Sequence, residues 1–209
     1  MMTQIKICGL SEPETLEAAL VAGANFSGFV FYAPSPRFIS DDVFQDLSVQ
    51  AAGRAQRVGL FVDPADEDIE ARVAGLDMIQ LHGDESVARI GEIKERFGLP
   101  VIKAFRIRTT EDFLPVSDYE SCVDWLLFDS RPSGAHLPGG TGQSFDWDLL
   151  EGHNFSKSWM LSGGLTPDNV GQALSVLKPA VVDVSSGVES APGVKDTQAI
   201  RRFIKAVRA

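Results

Sequence analysis

Cysteine is scarce in this chain: Cys8 and Cys122 are the two among 209 residues. Their separation suits neither a zinc site nor a disulfide framework, so a reducing, cytoplasmic setting is expected. Positive charge is also in deficit. Nineteen Lys and Arg face 29 Asp and Glu, leaving a formal net charge of -10 and a sequence pI near 4.7. A field of that sign disfavours nucleic acid and anionic membrane surfaces as partners. No apolar run approaches the ~20 residues that span a bilayer, and no signal-like segment opens the sequence. Low-complexity stretches and interdomain linkers are missing too, so residues 1–209 are expected to form one domain.

What is present is a globular composition, 44% hydrophobic and 23% charged. Short β-rich runs alternate with longer helix-like stretches along the chain, which predicts parallel strands joined by helical crossovers. Eight strands are expected: Gln4–Cys8, Phe26–Phe31, Arg57–Val62, Met78–Leu81, Val101–Phe105, Trp125–Phe128, Ser158–Leu161 and Val181–Val184. Several are apolar almost throughout, as strands buried on both faces should be. Ser11-Glu-Pro-Glu14 reads as a capping box, and Thr166-Pro-Asp as a capping threonine before a proline at the first helical position. The fifth unit, Arg106 to Asp124, has poor helical periodicity. Eight repeats in so short a chain fit a closed (β/α)₈ TIM barrel, whose lower size limit is roughly 200 residues. An open doubly wound sheet is the alternative, but its glycine motif usually follows the first strand.

Two glycine-bearing turns, Leu161-Ser-Gly-Gly-Leu165 and Asp183-Val-Ser-Ser-Gly187, follow the seventh and eighth strands. Glycines admit an anion to backbone N–H groups, and a helix start beside them adds the positive end of its dipole. One split phosphate site is expected, and hence a phosphorylated small-molecule ligand. Either turn alone would read as a tight connection; the pair in succession favours phosphate.

Strand alternation places Lys6 and Cys8 on one side and Ile5 and Ile7 on the other. Cys8 then stands at the catalytic rim, although a lone strand cysteine is more often a small buried hydrophobe. Its thiol, with an ordinary pKa of ~8.5, needs a nearby positive charge to act as a base. Trp125, Leu127 and Asp129 share a side of strand six, which leaves Asp129 at its C-terminal edge as a candidate general acid or a turn-capping carboxylate. The long loop after it carries Gly139-Gly-Thr-Gly142, suited equally to folding over a ligand and to a solvent-exposed flexible loop. Arg37, stiffened by Pro34 and Pro36, offers a planar fork for a carboxylate. His82 shares a side with Gln80 and suits a structural or a site role equally. Asp183 should face inward beside Lys6, pairing with it mainly as architecture. Glu189, Lys195 and Asp196 read as solvated or capping groups, and Cys122 as structural.

Lys6-Ile-Cys-Gly-Leu10, Ser35-Pro-Arg37, Gln80-Leu-His-Gly83, Asp129 followed by Gly139–Gly142, Leu161–Leu165 and Asp183–Glu189 together resemble the phosphoribosylanthranilate isomerases over nearly the whole chain. The resemblance implies an intramolecular aldose–ketose isomerase of tryptophan biosynthesis that needs no cofactor and no metal. By motif it makes Asp129 the general acid and Cys8 the general base. Arg37 would hold the anthranilate carboxylate, and Gly163, Gly164, Ser186 and Gly187 the phosphate; His82 and Asp183 complete the candidate substrate-binding set. The barrel isomerase of histidine biosynthesis is the nearest rival, but it is associated with an aspartate where this chain has Cys8, and its second phosphate loop is not found. The lysine-and-glutamate set of indole-glycerol phosphate synthase is not apparent. A silent phosphate-binding barrel is the non-enzymatic alternative. Both a monomer and a homodimer remain open.

Overall fold

The computed structural model describes residues 2–130 and 147–209. The chain runs β1 (Gln4–Cys8), α1 (Pro13–Ala22), β2 (Phe26–Val30), α2 (Asp41–Ala51), β3 (Gln56–Phe61), α3 (Asp66–Glu70), β4 (Met78–Leu81) and α4 (Val87–Phe97). It continues through β5 (Val101–Ile107), α5 (Val116–Tyr119), β6 (Trp125–Ser130), β7 (Ser158–Leu161), α6 (Val170–Val176) and β8 (Val181–Val184). A small antiparallel hairpin, β9 (Glu189–Ala191) and β10 (Val194–Lys195), then leads into α7 (Thr197–Arg208). Strands β1 to β8 pair in order and close on themselves, with β8 parallel to β1. This is the expected TIM barrel. Strands one, four, seven and eight have the expected bounds; β5 and β6 run two residues further, and the hairpin was not foreseen.

Residue parity sorts the core into two parts. Phe26, Val58, Met78, Ile102, Ala104, Leu127, Met160 and Val181 fill the barrel interior. Ile5, Ile7, Phe29, Leu81, Phe128 and Leu161 point the other way, into the layer beneath the helices. That layer is completed by α7, which buries Ala199, Ile200, Phe203 and Ile204 and is capped where the Asp196 carboxylate accepts from the Gln198 and Ala199 amides. Among the described residues no helix is long and apolar enough to cross a membrane.

Three local expectations need correction. Helix α1 begins at Pro13 with Glu12 at its N-cap and no side-chain cap bond, so the Ser11–Glu14 capping box does not form. Proline at the first position starts this helix without it, because its fixed φ is already helical. Thr166 does accept from the Asp168 amide, yet regular helix α6 starts only at Val170, after a turn in which Asn169 Oδ1 accepts from the Thr166 amide. Finally, the fifth crossover holds a 3-10 turn at Thr110–Phe113 and the four-residue α5 in place of a long helix. Its weak periodicity reflects that shortness, with Phe113 and Val116 as the apolar anchors.

Candidate active site

Cys8, Arg37, His82, Asp129, Asp183 and Ser185 line one cleft at the C-terminal ends of the strands. The thiol and the carboxyl group that alternation sends inward therefore face the same space.

On the β1–β8 side, Lys6 is fully buried and its Nζ lies 2.9 Å from Asp183 Oδ1. The other oxygen of Asp183 accepts from Ser162 Oγ at 3.0 Å. Burial works against the ammonium, but Asp183 and then Cys8 outweigh it, and the Lys6 pKa is pushed up to about 12. Burial pushes the Cys8 thiol above its ordinary value, while Lys6 pulls it back. Gly28 on β2 makes their meeting possible: a Cβ there would stand 2.9 Å from Cys8 Sγ and 3.2 Å from Lys6 Nζ.

Arg37 comes to this rim from the loop after β2. Its Nε and Nη2 donate to the two oxygens of Glu189 at 2.7 and 2.8 Å, a bidentate pair. Lys195 Nζ reaches the same carboxylate at 2.6 Å and also donates to the Ser185 carbonyl at 3.0 Å. Both side chains of the Lys195–Glu189 pair are almost wholly buried. The reading of Glu189 and Lys195 as solvated groups is therefore wrong. The β9–β10 hairpin folds them under the mouth, and the one sequence signal was that Glu189 lies two residues beyond the glycine turn. Burial raises the Glu189 carboxyl, but Arg37 and Lys195 together hold it below the usual carboxylate range.

Across the cleft, Gln80 and His82 leave the end of β4 on the inner side. Gln80 Nε2 stands 3.1 Å from His82 Nδ1, and His82 Nε2 is 3.4 Å from Asp129 Oδ2. That second contact falls short of hydrogen-bond geometry, so Nε2 has no hydrogen-bond partner among the described residues, and neither has Gln80 Oε1. The β4 loop is held from behind by a buried pair absent from the sequence reading, Lys103 Nζ with Glu85 Oε2 at 2.7 Å. Glu85 also accepts from the Asp63 and Gly83 amides.

The two glycine turns meet. Gly163 and Gly164 adopt φ of 89° and 63°, the left-handed region that favours glycine. A Cβ on Gly187 would lie 1.8 Å from the Leu165 carbonyl oxygen, so only glycine lets the loop after β8 pack against the loop after β7. Ser186 and Gly187 open a short 3-10 turn, Ser186–Val188, beside that contact. The Gly139–Gly142 loop lies outside the described residues. Among the described residues, no group of three or more His, Cys, Asp or Glu side chains is arranged to hold a metal.

A family model described as N-(5'-phosphoribosyl)anthranilate (PRA) isomerase matches residues 5–206. The chain belongs to that family. A relative from Bradyrhizobium sp. strain BTAi1, named N-(5'-phosphoribosyl)anthranilate isomerase, is 51% identical over 100% of this chain and 97% of its own length. The crystal structure of phosphoribosyl anthranilate isomerase from Thermotoga maritima has a TM-score of 0.89 at 37% identity, covering 99% of both chains. Another, of the isomerase in complex with reduced 1-(o-carboxyphenylamino)-1-deoxyribulose 5-phosphate, has a TM-score of 0.83 at 34% identity, again over 99% of each chain. Membership in the phosphoribosylanthranilate isomerases makes this chain an isomerase of tryptophan biosynthesis.

Proposed function

We propose that the chain converts N-(5-phosphoribosyl)anthranilate to 1-(2-carboxyphenylamino)-1-deoxyribulose 5-phosphate, with Asp129 as general acid and Cys8 as general base. Asp129 gives its proton to the furanose ring oxygen, the C1–O bond breaks, and the nitrogen lone pair forms a C1 iminium. The iminium acidifies the C2–H. Cys8, as thiolate, takes that proton, and the C–H electron pair forms the C1–C2 double bond of an enolamine. Tautomerisation of the enolamine gives the ketone. One proton is given and one taken, so the overall reaction is an isomerisation.

The single observation that supports this best is that Cys8 and Asp129 line one cleft together with Arg37. The raised Cys8 thiol is compatible with its role, because the iminium adds a positive charge beside the sulfur at the moment a thiolate is required, and Lys6 already acts in that direction. Arg37, its plane fixed by Glu189, is proposed to receive the anthranilate carboxylate. Gly163, Gly164, Ser186 and Gly187 are proposed to receive the phosphate, which pins the other end of the substrate and sets C2 against Cys8. Asp183 is given a supporting role: its two oxygens already engage Lys6 and Ser162.

Mixing the protein with freshly prepared phosphoribosylanthranilate and following the loss of its fluorescence tests the reading. Turnover that falls by about 10²- to 10⁴-fold in Cys8→Ala and in Asp129→Asn is expected. Binding without turnover by the unaltered protein would favour a silent module.

A further inference from the structure

We propose that Gln80 is a positioning residue that fixes the tautomer of His82, so that the His82 Nε2–H stabilises the Asp129 carboxylate as it forms. This rests on the reading of Asp129 as the acid.

Gln80, His82 and Asp129 are all buried, at 0%, 6% and 3% exposure. Gln80 is held by its place between β3 and β5, where it is the register partner of Leu60 and Ile102. The His82 amide donates to the Phe61 carbonyl, and the His82 carbonyl accepts from Arg106 Nη2. These contacts fix both backbones, and burial leaves the two side chains little room to part. The Gln80 Nε2 group facing Nδ1 is a donor, so Nδ1 is the acceptor and the ring proton of the neutral imidazole sits on Nε2. That N–H then faces Asp129 Oδ2 across 3.4 Å.

Against a neutral carboxylic acid, such a long and poorly aligned contact contributes little. Once Asp129 has given its proton to the ring oxygen, the same N–H meets a full negative charge, and a shortened, charge-assisted bond becomes available. An interaction that strengthens only as the reaction proceeds accelerates it. The orphaned Nε2 and Gln80 Oε1 fit this account, because a site already satisfied at rest would have nothing further to gain. His82 is thereby reassigned from binding substrate to supporting Asp129.

The test combines ¹⁵N NMR of the histidine rings with a double-mutant cycle. The chain has three histidines, His82, His136 and His153, so the His82 resonances can be assigned by difference from His82→Gln. The Nε2–H tautomer is expected in the unaltered protein. Gln80→Met is expected to lower kcat by about ten- to a hundredfold with KM little changed, and to have almost no further effect in the His82→Gln background. A His82 ring protonated on Nδ1, an unchanged kcat in Gln80→Met, or additive effects in the double variant would each overturn the proposal. The NMR arm needs only the unaltered protein and holds even where a variant fails to fold. Near-normal turnover by Asp129→Asn would instead sink the acid assignment itself.

Discussion

Where β1 meets β8, the buried charges at the mouth are matched in contact: Lys6 with Asp183, Glu189 with both Arg37 and Lys195. On the facing side, from β4 to β6, the polar groups that line the cleft are an amide, an imidazole and one carboxyl, with the matched Lys103–Glu85 pair behind them, and Gln80 Oε1 and His82 Nε2 have no hydrogen-bond partner among the described residues. The contrast follows from what each group costs when alone. An unpaired buried ion costs several kcal/mol, roughly 3–5 when one partner of a pair is removed, so a charged network has to be complete in the folded state. A neutral buried polar atom without a partner costs about 1–3 kcal/mol. A fold can carry that deficit and let the substrate, or the charge that develops on Asp129, remove it. The β1–β8 side therefore presents its charges already matched around Cys8, and the β4–β6 side keeps hydrogen-bonding capacity that the reaction can use.

The sharpest way to break this contrast is to remove each reacting group in turn. Cys8→Ala and Asp129→Asn should each cost about 10²–10⁴ in kcat with KM nearly unchanged, measured by steady-state fluorescence. A large loss in one variant only would leave a single side in charge of the chemistry. Next in size is stability. Lys6→Met leaves Asp183 buried without its cation and should cost about 3–5 kcal/mol in urea unfolding, whereas His82→Gln should cost about 1 kcal/mol or less. Equal losses would erase the distinction between the two sides. Gly187→Ala should push the β7 and β8 loops apart and weaken competitive inhibition by inorganic phosphate about tenfold or more, leaving Cys8 alkylation unchanged.

The smallest effect is a direction. Iodoacetamide reacts with thiolate, and burial holds the Cys8 thiol above its ordinary value, so its alkylation rate, followed by peptide mass, should still be rising with pH beyond the ordinary thiol range near 8.5. A rate that levels off near pH 7 would mean that Lys6 outweighs burial at the sulfur.

The barrel was legible because its strands are short apolar runs with clear parity. Lys6, Cys8, Gln80, His82, Asp129 and Asp183 all face inward as alternation requires. The glycine turns were legible because their residue type reports a backbone need that the positive φ values and the Gly187 contact meet. Glu189 and Lys195 were misread because a two-stranded hairpin of five residues has too little pattern to signal a fold-back, and charged residues are ordinarily solvated. The Lys103–Glu85 pair was missed for a similar reason: its partners lie 18 residues apart, one on β5 and one in the loop after β4, and only the barrel brings them together. The unformed capping box at Ser11 shows the opposite error, a local motif present in sequence whose side-chain bond the fold does not make.

Whether one ribose is worked on from both sides at once can be seen in a crystal structure with the reduced product analogue. C2 of the ligand is expected within ~3.5 Å of Cys8 Sγ, and the oxygen derived from the furanose ring within ~3.2 Å of an Asp129 carboxylate oxygen in the same bound molecule. A ligand seated in the cleft with its C2 turned away from the sulfur, or its ring oxygen out of reach of Asp129, would contradict it.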